Sequence, residues 1–216
     1  MPHAIETNTN EEPPYSEMTL RESLIARHSS RAFLSTPVSK FIIQSTLDLA
    51  RFAPSNSNIQ PHLVFLLAGE SLENLRTKLF TAASESTPNI PPLPVGYTHY
   101  RSEVGRQLYG EGMAFHDPIL KLAMQPSSAT IGSLMHQVSV GMWLQSWLLA
   151  LTERGVDSCV QVCQTGYPEL VRRECDITDD LEILVAVSIG YEDPDFKANG
   201  LRPARDESKK HVTFME

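Results

Sequence analysis

Most of the motifs that would assign a chemistry outright are missing from this sequence. There is no glycine-rich dinucleotide fingerprint and no P-loop, so the two common glycine-built phosphate cradles are excluded. No His-Glu-x-x-His helix and no Gly-x-Ser-x-Gly elbow is present. Cysteine is scarce and odd in number. Cys159 and Cys163 stand four apart, Cys175 lies beyond, and no histidine is near, so neither a disulfide framework nor a zinc set is expected. Positive charge is in deficit. The 18 Lys and Arg against 26 Asp and Glu leave a net charge of -8, which argues against a general binder of nucleic acid or anionic membrane. Long apolar runs are absent too. The longest, Leu63–Ala68 and Trp147–Leu151, fall far short of a membrane span. The N-terminus carries Glu6, Glu11, Glu12, Pro13 and Pro14 and no signal-peptide core, so residues 1–16 read as a disordered leader. A reducing, cytoplasmic compartment is the expectation. The chain also offers no convincing acid–base pair of its own, which favours chemistry carried by a cofactor.

What is present is a charged cluster, Arg27-His28-Ser29-Ser30-Arg31. Guanidinium forks match phosphate oxygens bidentately, and serine hydroxyls add neutral donors. Two arginines after a helix also suit a solvated C-terminal cap, because cations favour that end of the dipole. His28 fits a ligand, a base, or simply a polar helix end.

The surrounding pattern is that of one domain over residues 17–216. Thr19 and Glu22 have capping-box spacing ahead of a helix to about Arg27. Ser39 can cap a strongly apolar helix that Pro54 stops. The stretch Pro54-Ser55-Asn56-Ser57-Asn58-Ile59-Gln60-Pro61 is either a plain surface turn or a rigid polar loop whose amides read a heteroaromatic edge. Leu63–Ala68 reads as a buried strand, and Ser71 as the cap of the next helix. Four prolines (88, 91, 92 and 94) make residues 86–96 a loop, and 97–113 fit another helix. Ile119–Met124 fits a short strand or a helical turn. Residues 133–154 form a helix apolar around much of its circumference, ended by Gly155 and destined for the core or an oligomer interface. Val156–Gln161 is strand-like, Pro168 opens a short helix, and Glu182–Ile189 is the clearest strand. The polar tail carries Arg202 and Arg205 and ends in Val212 and Phe214, which look built to dock on something.

Three stretches resemble the FMN-dependent nitroreductase family. They are Arg27–Phe33, the loop Ala53–Pro61, and the exit Ile189-Gly190-Tyr191 with Asn199, Arg202 and Arg205. Their order and rough spacing match, and the helix ending Glu153-Arg154-Gly155 resembles that family's central helix. The resemblance implies an α+β fold with a mixed, mainly antiparallel sheet flanked by helices. It implies a homodimer built on the long helix, C-terminal tails that reach the partner, and FMN at the interface. NAD(P)H would be the reductant and a nitroaromatic or quinone the acceptor, in two half-reactions that need no catalytic side chain.

Carried over by position, Arg27 and Ser29 would hold the FMN phosphate and ribityl end, with His28 lining the pocket through its backbone. Arg205 would close on the phosphate, Arg202 being a second candidate. Arg31 would approach the pyrimidine edge. Pro54, Ser55, Asn56 and Asn58 would border the isoalloxazine, and the Val160-Gln161-Val162 backbone would face N5. A cation near the pyrimidine edge stabilises the reduced flavin, and a donor near N5 orients the atom that accepts hydride. Three departures stand out. Val160 replaces the family's usual proline, and His62 its usual aromatic. Residues 113–131 look too short for the extended apolar strand the family places there. That shortness motivates an alternative, a flavin-deficient inactive or interaction protein. A further alternative keeps the fold but runs another flavin reaction, such as reductive dehalogenation or enoate reduction.

Overall fold

Thr19 opens the first helix by the reciprocal contact its spacing predicts. Its Oγ1 accepts from Glu22 N at 3.3 Å, and Glu22 Oε2 accepts from Thr19 N at 2.6 Å. Helix α1 is Leu20–Ala26, with Arg27 as its C-cap. Ser39 caps α2, Lys40–Ala50, by accepting from Ile42 N at 3.2 Å. The structure is a computed structural model that describes residues 18–86, 89, 119–124, 131–161 and 163–215. The expected leader, the helix at 97–113, most of the proline-rich loop and Val162 lie outside the described residues.

Four strands form one sheet. They are β1, His62–Leu66; β2, Ile119–Met124; β3, Asp157–Gln161; and β4, Glu182–Gly190. The order is β1-β2-β4-β3 and every neighbouring pair is antiparallel. Parallel pairing enters, among the described residues, only as the bridge between Ser29 and Ser158 at the β3 edge.

Two expectations change here. Of the short strand and the helical turn that Ile119–Met124 fits, the structure holds the strand. Leu122 pairs with Val64 on one side and Val185 on the other, so β2 is an inner strand of the sheet. The backbone pairing on both sides fixes as a strand what six residues between prolines leave open. In addition, β1 is shorter than Leu63–Ala68 and not wholly buried, with Leu63 38% and Leu66 51% exposed.

The remaining helices are α3, Gly69–Glu85; α4, Ile131–Glu153; and α5, Pro168–Cys175. Helix α3 starts at Gly69, two residues before Ser71. Gly69 has φ +56°, which lets the chain turn out of β1 directly into the helix. The left-handed residue after α4 is Gly155, as the sequence indicates.

The sheet is covered on both faces. Val64 packs with the α2–α4 cluster, which centres on Trp147, Leu151, Val156 and Val187. Phe65, its neighbour on β1, packs with the α3–α5 cluster around Leu75, Leu79 and Val171. Successive strand residues point to opposite faces, so one strand serves both cores. Trp147 and Thr46 are fully buried, and the indole Nε1–H donates to Thr46 Oγ1 at 3.1 Å. Among the described residues no helix is long and apolar enough to cross a membrane.

Candidate cofactor site

The cluster Arg27–Arg31 leaves α1 and runs along the edge of β3. Ser30 N donates to Ser158 O at 3.1 Å. Farther on, Leu34 N donates to Tyr191 O at 2.8 Å and Asp193 N to Ala32 O at 3.0 Å. An extended segment alternates its side chains. The alternation sends His28 and Ser30 inward, where the His28 side chain is 9% exposed and Ser30 fully buried. It sets Arg27, Ser29 and Arg31 on the other face. The five residues are therefore two sets of groups with different surroundings.

On the outer face, Arg27 Nη1 donates to His28 O at 3.2 Å, and Arg31 Nη1 donates to Ser29 O at 2.7 Å. Burial lowers the Arg27 pKa from its ordinary value, and the Arg205 guanidinium lowers it further, while the nearby Cys159 thiol acts the other way. Two guanidiniums whose charges act on one another fit a phosphate dianion placed between them.

The tail reaches this place because Asn199 fixes its root. Asn199 is 2% exposed, and both ends of its amide are used. Oδ1 accepts from Arg31 N at 2.6 Å and Ala32 N at 3.3 Å, and Nδ2 donates to Ala32 O at 2.8 Å and Asp193 O at 2.9 Å. The Arg205 charge then acts on Arg27, and its Nη1 donates to Pro203 O at 3.0 Å. Arg202 goes elsewhere. Its Nη1 donates to Asn199 O at 2.6 Å, and its charge acts on Asp157. The two tail arginines thus face different groups.

The loop after α2 is built into α4. Asn56 N donates to Ser139 Oγ at 3.1 Å, and Gln60 N to Ser55 Oγ at 3.1 Å. Ser57, Asn58 and Gln60 have φ of 50°, 56° and 45°. Three non-glycine residues in the left-handed region are costly, and the pinned ends hold them there. The loop is exposed at the surface and tied to α4 and to itself by these bonds. Pro54, Asn56 and Asn58 are exposed, with Ser55 partly so. Beyond the loop, His62 stacks on Trp143, so the histidine in the aromatic position still fills a stacking place.

Val160 and Gln161 end β3. Val160 is 39% exposed, and Gln161 Oε1 accepts from Gln164 Nε2. Among the described residues, Arg27, Ser29 and Arg31 thus lie along the β3 edge, the Arg205 charge acts on Arg27, and the 54–60 loop is anchored to α4.

Sequence reasoning missed the residues that hold the site in place. Glu192 and Asp157 sit under the cluster, and Ser139 holds the loop. Their partners are far away in the chain, so no local spacing points to them. Burial raises the Asp157 pKa, although its carboxylate accepts from Glu192 N at 3.1 Å.

A family model described as the nitroreductase family matches residues 24–191. A 4-nitrobenzoate reductase of Pseudomonas putida is 29% identical over 210 residues, covering 88% of this chain and 92% of its own length. Nitroreductase NfnB of Mycolicibacterium smegmatis is 28% identical over 200 residues, covering 83% and 85%. Among solved structures, the FMN- and NADPH-dependent nitroreductase NfnB of Sphigopyxis sp. strain HMH matches with a TM-score of 0.80 at 24% identity, over 92% of this chain and 99% of that one. With the matched span running from α1 to the end of β4, the chain belongs to the nitroreductase family.

Proposed function

We propose that this protein is a homodimeric FMN-dependent oxidoreductase that passes electrons from NAD(P)H to nitroaromatic or quinone-type acceptors. The observation that carries the reading is the Arg27–Arg31 segment paired to the β3 edge through Ser29 and Ser158, with the charge of Arg205 from the tail acting on Arg27. Holding like charges together costs free energy that a phosphate dianion between them would offset. The names of the relatives agree with this choice, since they include reductases of 4-nitrobenzoate and nitrobenzene.

The chain's own groups have separable tasks in this reading. Arg27, Ser29 and Arg205 hold the phosphate. Arg31 stabilises negative charge at the pyrimidine edge. Pro54, Ser55, Asn56 and Asn58 border the ring, and the backbone from Val160 to Val162 faces N5. FMN, when bound, supplies the hydride chemistry at N5 in two half-reactions, one with NAD(P)H and one with the acceptor. The protein's contribution is position, charge and the exclusion of water.

The dimer reading rests on α4. Leu134, Met135, Val138 and Met142 recur at helical spacing and are exposed, Leu134 by 62%. Gly141 stands in the same stripe with open space over its Cα, which permits close backbone approach of a second helix. Phe214 on the tail is 87% exposed and needs a surface to cover it. A loop anchored to α4 and a phosphate cluster at the β3 edge would then meet across the interface. The flavin-deficient alternative draws on the shortness of residues 113–131, and the pairing of β2 on both sides supports the flavin-binding reading against it.

The test is acceptor turnover. Protein reduced anaerobically with NADPH is mixed with 4-nitrobenzoate and, separately, with a benzoquinone. The reading expects flavin absorbance to recover with either acceptor faster than with buffer alone. No acceleration by any nitroaromatic or quinone would overturn the acceptor class.

A further inference from the structure

The inner face of the Arg27–Arg31 segment has a partner of its own. Glu192 Oε2 lies 2.7 Å from His28 Nε2 and accepts from Ser30 Oγ at 2.9 Å. The carboxylate belongs to the turn just after β4, and its backbone N donates to Asp157 Oδ2 at the start of β3. Phe33 and Glu192 also form an isolated antiparallel bridge. Glu192 therefore ties the segment to both strands at once.

Both ring nitrogens of His28 are engaged. Nδ1 faces Ala26 O at 3.0 Å, and a carbonyl oxygen can only accept. Nε2 faces the Glu192 carboxylate, and an ionised carboxylate can only accept as well. A hydrogen between Nε2 and Glu192 Oε2 joins the two side chains. The charges of Glu192, His28 and Arg202 all act on Asp157 on β3.

The ligand atoms of His28, Asp157 and Glu192 lie within 4.8 Å of one another, a spacing that would also suit a divalent cation. Both ring nitrogens of His28 already face an oxygen, so the trio works as a clamp.

We propose that Glu192 is a positioning residue for the phosphate subsite. By holding His28 and Ser30 on the inner face, it fixes the direction in which Arg27, Ser29 and Arg31 leave the outer face. A backbone that alternates cannot rotate one set without moving the other. Glu192 touches neither cofactor nor acceptor in this role. It acts through the segment, and the inference rests on the reading of that segment as the FMN phosphate subsite.

The experiment compares two ligands that differ only in the phosphate. Apoprotein is titrated with FMN and with riboflavin, and the ratio of the two dissociation constants is taken for wild type, Glu192→Gln and Ser30→Ala. Wild type should prefer FMN. Glu192→Gln should lose roughly tenfold or more of that preference, with riboflavin affinity nearly unchanged. Ser30→Ala removes one of the two donors and should lose a smaller part of the same ratio. It deletes a single oxygen, so it keeps the comparison available if the Glu192 variant folds poorly. A merely structural role would lower FMN and riboflavin affinity together and leave the ratio intact. That result in both variants would overturn the proposal. Failure of the wild type to prefer FMN over riboflavin would instead overturn the phosphate reading on which it rests.

Discussion

His62 lies face to face with Trp143, ring centroids 4.4 Å apart and planes 15° apart. Burial lowers the His62 pKa below its ordinary 6.5, so the neutral ring is the form the fold accepts. Between that lowered value and 6.5 the unfolded chain binds more protons than the folded one. Stability therefore falls as pH drops through this window. His62→Phe keeps an aromatic ring against Trp143 and removes the titration. Urea denaturation of both proteins at about pH 7.5 and about pH 5 should show the variant gaining on wild type at the lower pH. The raised pKa of Asp157 works with the opposite sign, favouring the fold on acidification, but it is common to both proteins and cancels in the difference.

Thr46 and Trp147 join α2 to α4 through a bond with no water to replace it. Thr46→Val would leave the indole N–H buried without an acceptor. The expected loss is about 1–3 kcal/mol in urea denaturation. Thr46→Ser keeps the hydroxyl and should lose much less.

The exit of β4 leaves no room for a side chain. A Cβ on Gly190 would stand 2.8 Å from Phe33 Cδ1 and 3.1 Å from Phe33 Cβ. Phe33 cannot yield without shifting the backbone that follows Arg31. Gly190→Ala should lower stability by about 1–3 kcal/mol and weaken FMN binding in the same protein. A thermal melt and a flavin titration measure the two effects.

The tail arginines should differ. The Arg205 charge acts on Arg27, so Arg205→Ala should weaken FMN binding by about 1.5–3 kcal/mol, the range of a charge-assisted hydrogen bond. Arg202 faces Asp157, so Arg202→Ala should leave most of the FMN affinity and push the Asp157 pKa higher still. Flavin titration separates the two variants, and equal losses would contradict the placement.

Features set by near neighbours are legible in this sequence. Thr19 with Glu22, Ser39 with Ile42, and Gly155 after α4 announce themselves because cap and helix lie within one turn. The run Glu182–Gly190 declares a strand by composition. Ile119–Met124 does not, because its identity comes from Val64 and Val185, far away in the chain. The residue types of the Arg27–Arg31 cluster point to a phosphate, but their division into two faces follows from the bridge to Ser158. Glu192 is illegible for the same reason, being 164 residues from His28. The anchor of the 54–60 loop on Ser139 spans 83 residues, so it shows only in three dimensions.

The most direct test of the central claim is the absorbance spectrum of the purified protein after FMN loading and desalting, taken before and after anaerobic NADPH or NADH. A flavin band that survives desalting and bleaches with reductant is the predicted result. Folded protein that keeps no flavin band, or a retained band that neither nucleotide bleaches, would contradict the account.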